Sequence, residues 1–222
     1  MDDLQEQTFQ KFKQHLKNGS NALGIKVSEH QADGMLRHAK ELIFWNKKIN
    51  LTAIKDPLKI AEKHFIDSIA MLTCFRKDKS LLDLGSGGGF PGIPIKIMNP
   101  SLKVVLIDAS RKKVNFLKHV IRTLQLENID AVHSRVEDLH ENDAYKNKFD
   151  AVISRAFTEL SGFAALASPF LNNKGIIYAM KGKNAEKEMT PVISKKFNFK
   201  IDHYQLPFEK SDRYIIKLTA KH

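Results

Sequence analysis

From residue 80 the chain spells five short apolar runs: LLDL (81–84), VVLI (104–107), IDAV (129–132), AVI (151–153) and IIY (176–178). Amphipathic segments separate them. Between the second and third lies SRKKVNFLKHVIRTL (110–124), where Val114, Leu117, Ile121 and Leu124 share one helical face and Ser110 stands at the N-cap position. Strands without polar alternation are buried on both faces, and strands interleaved with helices assemble as a parallel sheet covered on both sides. The pattern therefore predicts an α/β fold with a mostly parallel, doubly wound sheet. The tail differs. FNFKIDHYQLPF (197–208) and RYIIKLTA (213–220) flank a polar turn at 209–212, which predicts a C-terminal antiparallel hairpin at the sheet edge.

The residues ahead of the sheet read as helices. Phe9, Phe12 and Leu16 recur at helical spacing, and Ser28 with Gln31 forms a capping box. That box opens a segment whose Met35, Leu36, Ala39, Leu42 and Ile43 make one stripe. A third helix, from about residue 59 to 75, follows Asp56-Pro57 and carries Ile60, His64, Ile69 and Leu72 near one face. The expected division is a helical N-terminal cap over 1–75 and a core over 76–222, in one compact unit. At 222 residues the chain supports one sizeable core.

The stretch LLDLGSGGGFPGIP (81–94) places Gly at 85, 87, 88, 89 and 92 directly after the first strand. Such a turn at the carboxyl edge of a parallel sheet is where ligands bind. The P-loop pattern G-x-x-x-x-G-K-[ST] occurs nowhere in the chain. The dinucleotide pattern G-x-G-x-x-G, counted from Gly85 and Gly87, meets Phe90 where its third glycine belongs. The spacing present is D-x-G-x-G-x-G from Asp83 to Gly89, which resembles motif I of class I methyltransferases that use S-adenosylmethionine. Asp83 could attract the cofactor's amino group, directly or through water, while bare backbone from Gly85 to Gly89 admits its methionyl and ribose portions. Pro91 and Pro94 suit the first turn of the next helix, where their missing N–H groups are not needed.

The second strand ends at Asp108, whose carboxylate can accept hydrogen bonds from both ribose hydroxyls. The alternative, an Asp that merely caps the next helix, is weakened because Ser110 is placed for that role. SRVEDL (134–139) follows the third strand, and Glu137 or Asp138 could accept from the adenine amine. The (Asn/Asp)-Pro-Pro-(Tyr/Phe) element of amino-group methylation is absent, since the fourth strand is followed by SRAF (154–157). Methylation at a pyrimidine carbon needs a cysteine nucleophile, and the single Cys74 lies in the cap, where it reads as a small apolar group. A Lys-Asp-Lys-Glu set for sugar hydroxyls cannot be assembled at the strand ends. Acceptors with a ready lone pair remain, such as a purine ring nitrogen. For guanine N7 no proton need leave before attack, so positioning can carry the rate.

WNKKINLT (45–52), KHFIDS (63–68), LLDLGSGGGFPGIP (81–94), SRVEDL (134–139) and ISRAF (153–157) together resemble the glucose-inhibited division protein B family. These are bacterial methyltransferases forming 7-methylguanosine in small-subunit ribosomal RNA. The likeness runs from about Leu36 to the C-terminal strands. It implies a Rossmann-like class I fold, S-adenosylmethionine as donor and a guanine in the decoding-region loop of 16S RNA as acceptor. Carried over by position, the resemblance implies cofactor contacts at Gly85, Phe90, Asp108, Val136 and Glu137, and Arg155 near the reacting end. Asp83, Gly87 and Gly89 join them from the loop motif. We expect Arg155 to orient the acceptor nucleotide, because a guanidinium can hold phosphate or a guanine edge in a fork. For His64, Asp67, Asn46, Asn50 and Thr52, lid and scaffold roles both stay open.

Net charge is +11, from 36 Lys and Arg against 25 Asp and Glu. That excess fits a polyanionic partner, here 16S RNA or the small ribosomal subunit, or else a plain basic surface. Lys47 and Lys48, then Arg111 and Lys112 with Lys113, then Lys181 and Lys183 are the expected phosphate contacts. One cysteine permits no internal disulfide, MDDLQEQTFQ has no apolar leader run, and no window approaches a membrane span, so a cytoplasmic protein is expected. The nine histidines include no helical i,i+3 or i,i+4 pair, and no metal is expected. The competing readings are the same fold with another acceptor, a nucleoside-binding RNA module without turnover, and a nicotinamide oxidoreductase, which Phe90 disfavours.

Overall fold

The computed structural model describes residues 3–75, 79–155, 157, 159–183, 185–188 and 190–221. Its strands are β1 (Ser80–Leu84), β2 (Lys103–Asp108), β3 (Ile129–His133), β4 (Phe149–Ser154), β5 (Leu171–Lys181), β6 (Phe197–Gln205) and β7 (Asp212–Ala220). They form one seven-stranded sheet in the order β3-β2-β1-β4-β5-β7-β6. The first five positions are parallel; β7 runs antiparallel to both β5 and β6. The C-terminal hairpin thus closes one sheet edge, with β7 slotted inside and β6 outermost. Strand order reverses between β1 and β4, which opens a crevice above their carboxyl ends.

Alternation along each strand divides the core in two. Leu81, Val104, Leu106, Ala151, Ile153 and Tyr178 face the N-terminal helices and α5 (Gly92–Met98) and α6 (Arg111–Thr123). Leu82, Leu84, Ile107, Val152, Ile177 and Ile216 face the other way, against Leu160, Phe163 and Ala167 of α7 (Leu160–Ala167). The N-terminal helices share the first cluster: Phe12 and Leu16 of α1 (Asp3–Ala22) and Met35, Ala39 and Leu42 of α2 (Glu29–Asn46) are buried in it. Residues 76–78, where the boundary between cap and core was expected, lie outside the described residues.

The Ser28–Gln31 capping box is present, each side chain accepting from the other residue's backbone N–H. The third cap helix is not regular. It starts at Pro57, with Asp56 as N-cap, as α3 (Pro57–Ile60), passes through a π-helical turn (Ala61–Ile66), continues as α4 (Asp67–Ile69) and ends in a 3-10 turn (Ala70–Thr73). The π turn widens the helix at KHFIDS, and such turns recur at functional sites. Glu62 inside it accepts from the Phe208 and Glu209 N–H groups, both at 2.8 Å, and Lys63 pairs with Glu209 at 2.7 Å. The turn before β7 is thereby fastened to the cap. No helix among the described residues is long and apolar enough to cross a membrane.

Candidate functional site

The glycine loop joins β1 to α5 at the crevice. Gly85, Gly87 and Gly89 hold φ of +74°, +56° and +90°, values that L side chains rarely adopt. At Gly87 a Cβ would meet nothing nearer than the Gly85 carbonyl oxygen at 3.9 Å, so it would project into open space above the loop. Gly92 is the opposite case. A Cβ there would overlap Leu106 Cδ2 and stand 2.8 Å from Asp83 Oδ2, so helix and strand approach only because it is absent. Pro91 precedes α5, after a cis Phe90–Pro91 bond, and Pro94 lies in its first turn.

Asp83 is fully buried, and burial pushes its carboxyl up to about 7. Its Oδ2 accepts from Gly92 N–H at 2.8 Å, whereas Oδ1 is buried with no hydrogen-bond partner among the described residues. Direct contact with a cofactor amine has no surface to work through. Asp108, at the tip of β2, binds the loop itself: Oδ2 accepts from Gly87 N–H at 2.9 Å and Oδ1 from Ser110 N–H at 2.8 Å. This corrects the division of labour expected from sequence. Ser110 holds the N-cap position of α6 with no side-chain cap bond, and Asp108 does the local work. Each carboxylate oxygen carries a second lone pair, so acceptor capacity is left over. Val136 and Glu137 lie just beyond β3, the neighbour of β2: Val136 is half-buried and Glu137 exposed at the start of a 3-10 turn (Glu137–Leu139).

Phe90 is the centre of a stack that sequence reasoning missed. His38 lies over one face with ring centroids 4.9 Å apart, and His64 stacks at 4.6 Å. Phe65 meets Phe90 edge-on at 5.1 Å. His38 sits on the apolar stripe of α2, fully buried, and its Nε2 donates to the Gly88 carbonyl at 2.8 Å. Burial holds His38 down at about 4 and His64 at about 3, so both rings are neutral. The signal for His38 was its place amid Met35, Ala39 and Leu42, which ordinarily marks a core histidine.

The neutral rings make a pH prediction. A depressed histidine contributes stability that is present above its unfolded value near 6.5 and lost as pH falls toward the folded value. Between pH 7 and 5, His38 should therefore cost the wild type about 2 kcal/mol relative to a His38→Gln variant, which does not titrate. Urea unfolding of both proteins at the two pH values measures it; parallel losses would contradict it.

Arg155 follows β4 and reaches the cap. Nη1 donates to the Lys63 carbonyl at 2.9 Å and to Asp67 Oδ2 at 3.4 Å, Nη2 donates to His64 Nδ1 at 3.0 Å, and the guanidinium lies 5.4 Å from the Phe90 ring centroid. His64 Nε2 then donates to Thr52 Oγ1 at 2.8 Å. Asn46 holds that segment, accepting from the Leu51 and Thr52 N–H groups and donating to the Thr52 carbonyl. Asp67 is buried and also takes Tyr204 OH at 2.8 Å and Arg213 Nε at 3.3 Å. WNKKINLT, KHFIDS and ISRAF thus meet, joined by hairpin residues that sequence did not single out. A cavity of about 360 Å³ opens beside them, lined by Lys63, His64, Asp67, Arg155, Tyr204 and Arg213 among others.

Lys47, Lys48, Arg111, Lys112 and Lys183 are exposed; Lys113 is half-buried. Lys181 departs from the expected phosphate role. Its side chain is 8% exposed, and its ammonium bonds the Phe157 carbonyl at 2.9 Å and Glu188 at 2.7 Å. Cys74 is partly buried, donates to the Met71 carbonyl, and has its thiol pushed up to about 11 by burial, which does not suit a nucleophile. Among the described residues no group of three or more His, Cys, Asp or Glu is placed to hold a metal ion.

Solved structures share this architecture. A SAM-dependent methyltransferase from Aquifex aeolicus matches with a TM-score of 0.54 and 15% identity, over 72% of this chain and 92% of that one. TYW2 of M. jannaschii in complex with AdoMet matches at 0.55 and 15% identity, over 79% and 80%. At such identities the likeness shows the fold alone. Sequence relatives are nearer. The ribosomal RNA small subunit methyltransferase G of Geobacter sp. strain M21 is 44% identical over 180 residues, 81% of this chain and 82% of its own length. That of Syntrophotalea carbinolica is 37% identical over 204 residues, 90% and 94%. The model of one family, GidB, rRNA small subunit methyltransferase G, matches residues 31–216 and so takes in the glycine loop, Asp108, Arg155, β6 and the first half of β7; the chain belongs to that family.

Proposed function

We propose that this protein transfers a methyl group from S-adenosylmethionine to N7 of a guanine in 16S ribosomal RNA of the small subunit, in the cytoplasm. One observation carries the donor site. Gly87 leaves open space over the loop while giving its N–H to Asp108, which keeps acceptor capacity at the tip of the adjacent strand. Asp83 serves the same site from beneath, its Oδ2 holding Gly92 N–H and so the start of α5 under the loop.

When bound, the donor supplies an electrophilic methyl on sulfonium. Asp108 holds the ribose hydroxyls, Val136 and Glu137 border the adenine, and the backbone of Gly85, Gly87 and Gly89 follows the methionyl and ribose portions, with Phe90 closing the loop. Arg155 orients the acceptor with the N–H donors its anchoring contacts leave over. Guanine N7 presents its lone pair with no proton to remove, so the reaction needs no general base and positioning can carry the rate. Lys47, Lys48, Arg111, Lys112 and Lys183 serve phosphate; Lys181 is withdrawn from that set.

The test is mass analysis of nucleosides from 16S RNA of cells with and without the gene, followed by incubation of the deficient RNA, naked and in subunits, with protein and labelled donor. 7-Methylguanosine should be missing from the deletion and restored in vitro. Methylation of a different atom, or of no RNA, would reject the proposal.

A further inference from the structure

The end of α2 exposes Phe44 to 57%, with the Lys48 ammonium 5.9 Å from its ring centroid. Two residues on, the Asn46 amide folds the chain back on itself through its bonds to 51 and 52. The return brings Ile54 and Lys55 opposite Ile43, Asn46 and Lys47, and these five line a cavity of about 390 Å³. No acid lines it. Among the described residues none of Lys47, Lys48 and Lys55 is in an ion pair. Ile54 also lines the cavity that holds Arg155, so the two spaces share a wall.

An apolar floor ringed by unpaired cations, next to an exposed aromatic, suits one class of ligand. A duplex keeps its bases stacked inside, whereas an unpaired strand offers base faces to aromatic or aliphatic surfaces and phosphates to lysines. The volume lies near the low end of the ~300–1,000 Å³ range of small-molecule pockets, which is room for about one nucleotide.

We propose that this cavity binds the unpaired nucleotide flanking the target guanine, with its base between Ile43 and Ile54 and its phosphate between Lys47 and Lys55, while Phe44 stacks the next base. The proposal rests on the RNA-methylating function above and adds the place where single-stranded RNA is gripped outside the reacting centre. Strand continuity follows from the wall shared with the Arg155 cavity.

The experiment uses full-length protein, a fluorescein-labelled single-stranded RNA spanning the target loop, and 16S RNA as methylation substrate. Lys47→Gln with Lys55→Gln should weaken RNA binding about tenfold at low salt and flatten the log Kd against log salt slope by about 1.4. Phe44→Leu should cost about fivefold to tenfold in affinity with the slope unchanged. In both, the loss should fall on the KM for RNA rather than on kcat, and S-adenosylmethionine affinity should stay within twofold. All three side chains are exposed, so the thermal midpoint should hold. RNA affinity within twofold of wild type with an unchanged salt slope overturns the site, as does a loss confined to kcat. A wild-type protein that binds the donor but no 16S RNA fails the functional proposal itself and takes this site with it.

Discussion

An Asp108→Asn variant should bind S-adenosylmethionine about 100- to 1,000-fold more weakly than wild type while staying folded. The wild-type carboxylate serves two masters. It fixes the loop through Gly87 N–H at 2.9 Å and the start of α6 through Ser110 N–H at 2.8 Å, one on each oxygen. Its remaining lone pairs are what would receive a ribose diol at the tip of β2. An amide of the same shape loses the charge and replaces one oxygen by a donor. Whichever way it turns, that NH₂ faces a backbone N–H, Gly87's or Ser110's, and only one oxygen is left to accept from the ribose. Hydrogen bonds to a charged group are worth about 1.5–3 kcal/mol each, so losing two near the low end of that range, about 3–4 kcal/mol together, gives about 100- to 1,000-fold. Isothermal titration with donor measures the affinity, and circular dichroism with thermal unfolding checks the fold. A folded variant whose Kd stays within threefold would sink the assignment of Asp108 to the cofactor.

Much of this site was legible because its parts follow strands. An apolar run, an acid at its end and a glycine-rich turn specify where β1 stops and where backbone is bared, and the order of the runs predicts a parallel sheet. Asp108 and Val136 could be placed at neighbouring tips because β1, β2 and β3 are adjacent in both sequence and sheet. Ser28 and Gln31 are a local pair, and a local pair can be read locally.

What was not legible depends on contacts between distant segments. Tyr204 lies 137 residues from the Asp67 it bonds, and nothing about a tyrosine in an edge strand announces a buried carboxylate partner. Lys181 looks like a surface cation after β5 until Glu188, from a 3-10 turn (Ala185–Glu188) with no periodic signature, folds back on it. The π turn at Ala61–Ile66 is invisible to a 3.6-residue period, yet it brings Lys63 O, His64 and Asp67 all to Arg155. Ser110 occupies the capping position without using its hydroxyl as a cap, and its own N–H is taken by the carboxylate two residues earlier.

The geometry around Arg155 makes the second large prediction. Arg155→Lys should lower kcat for methyl transfer about 100-fold while donor affinity changes less than threefold. A lysine carries the same charge but presents it as a point, and cannot contact Lys63 O, Asp67 and His64 in one plane. The displaced group then misorients the acceptor, and a misplacement of about 1 Å costs on the order of 100-fold. Asp67 acts through Arg155. It is buried, balances Arg155 and Arg213, and receives Tyr204 OH. Asp67→Asn keeps a hydrogen-bond acceptor for Tyr204 but removes the charge that holds two guanidiniums, so it should lower kcat by a similar factor. If both substitutions damage one arrangement, the double variant should be little worse than the poorer single, since residues in one network are not additive. A purely structural role would lower the thermal midpoint and the KM terms together, whereas positioning predicts a kcat loss in protein that still binds donor and RNA. Losses that multiply in the double variant, or a donor affinity that falls in step with kcat, would show that Arg155 and Asp67 do not position the acceptor as one unit.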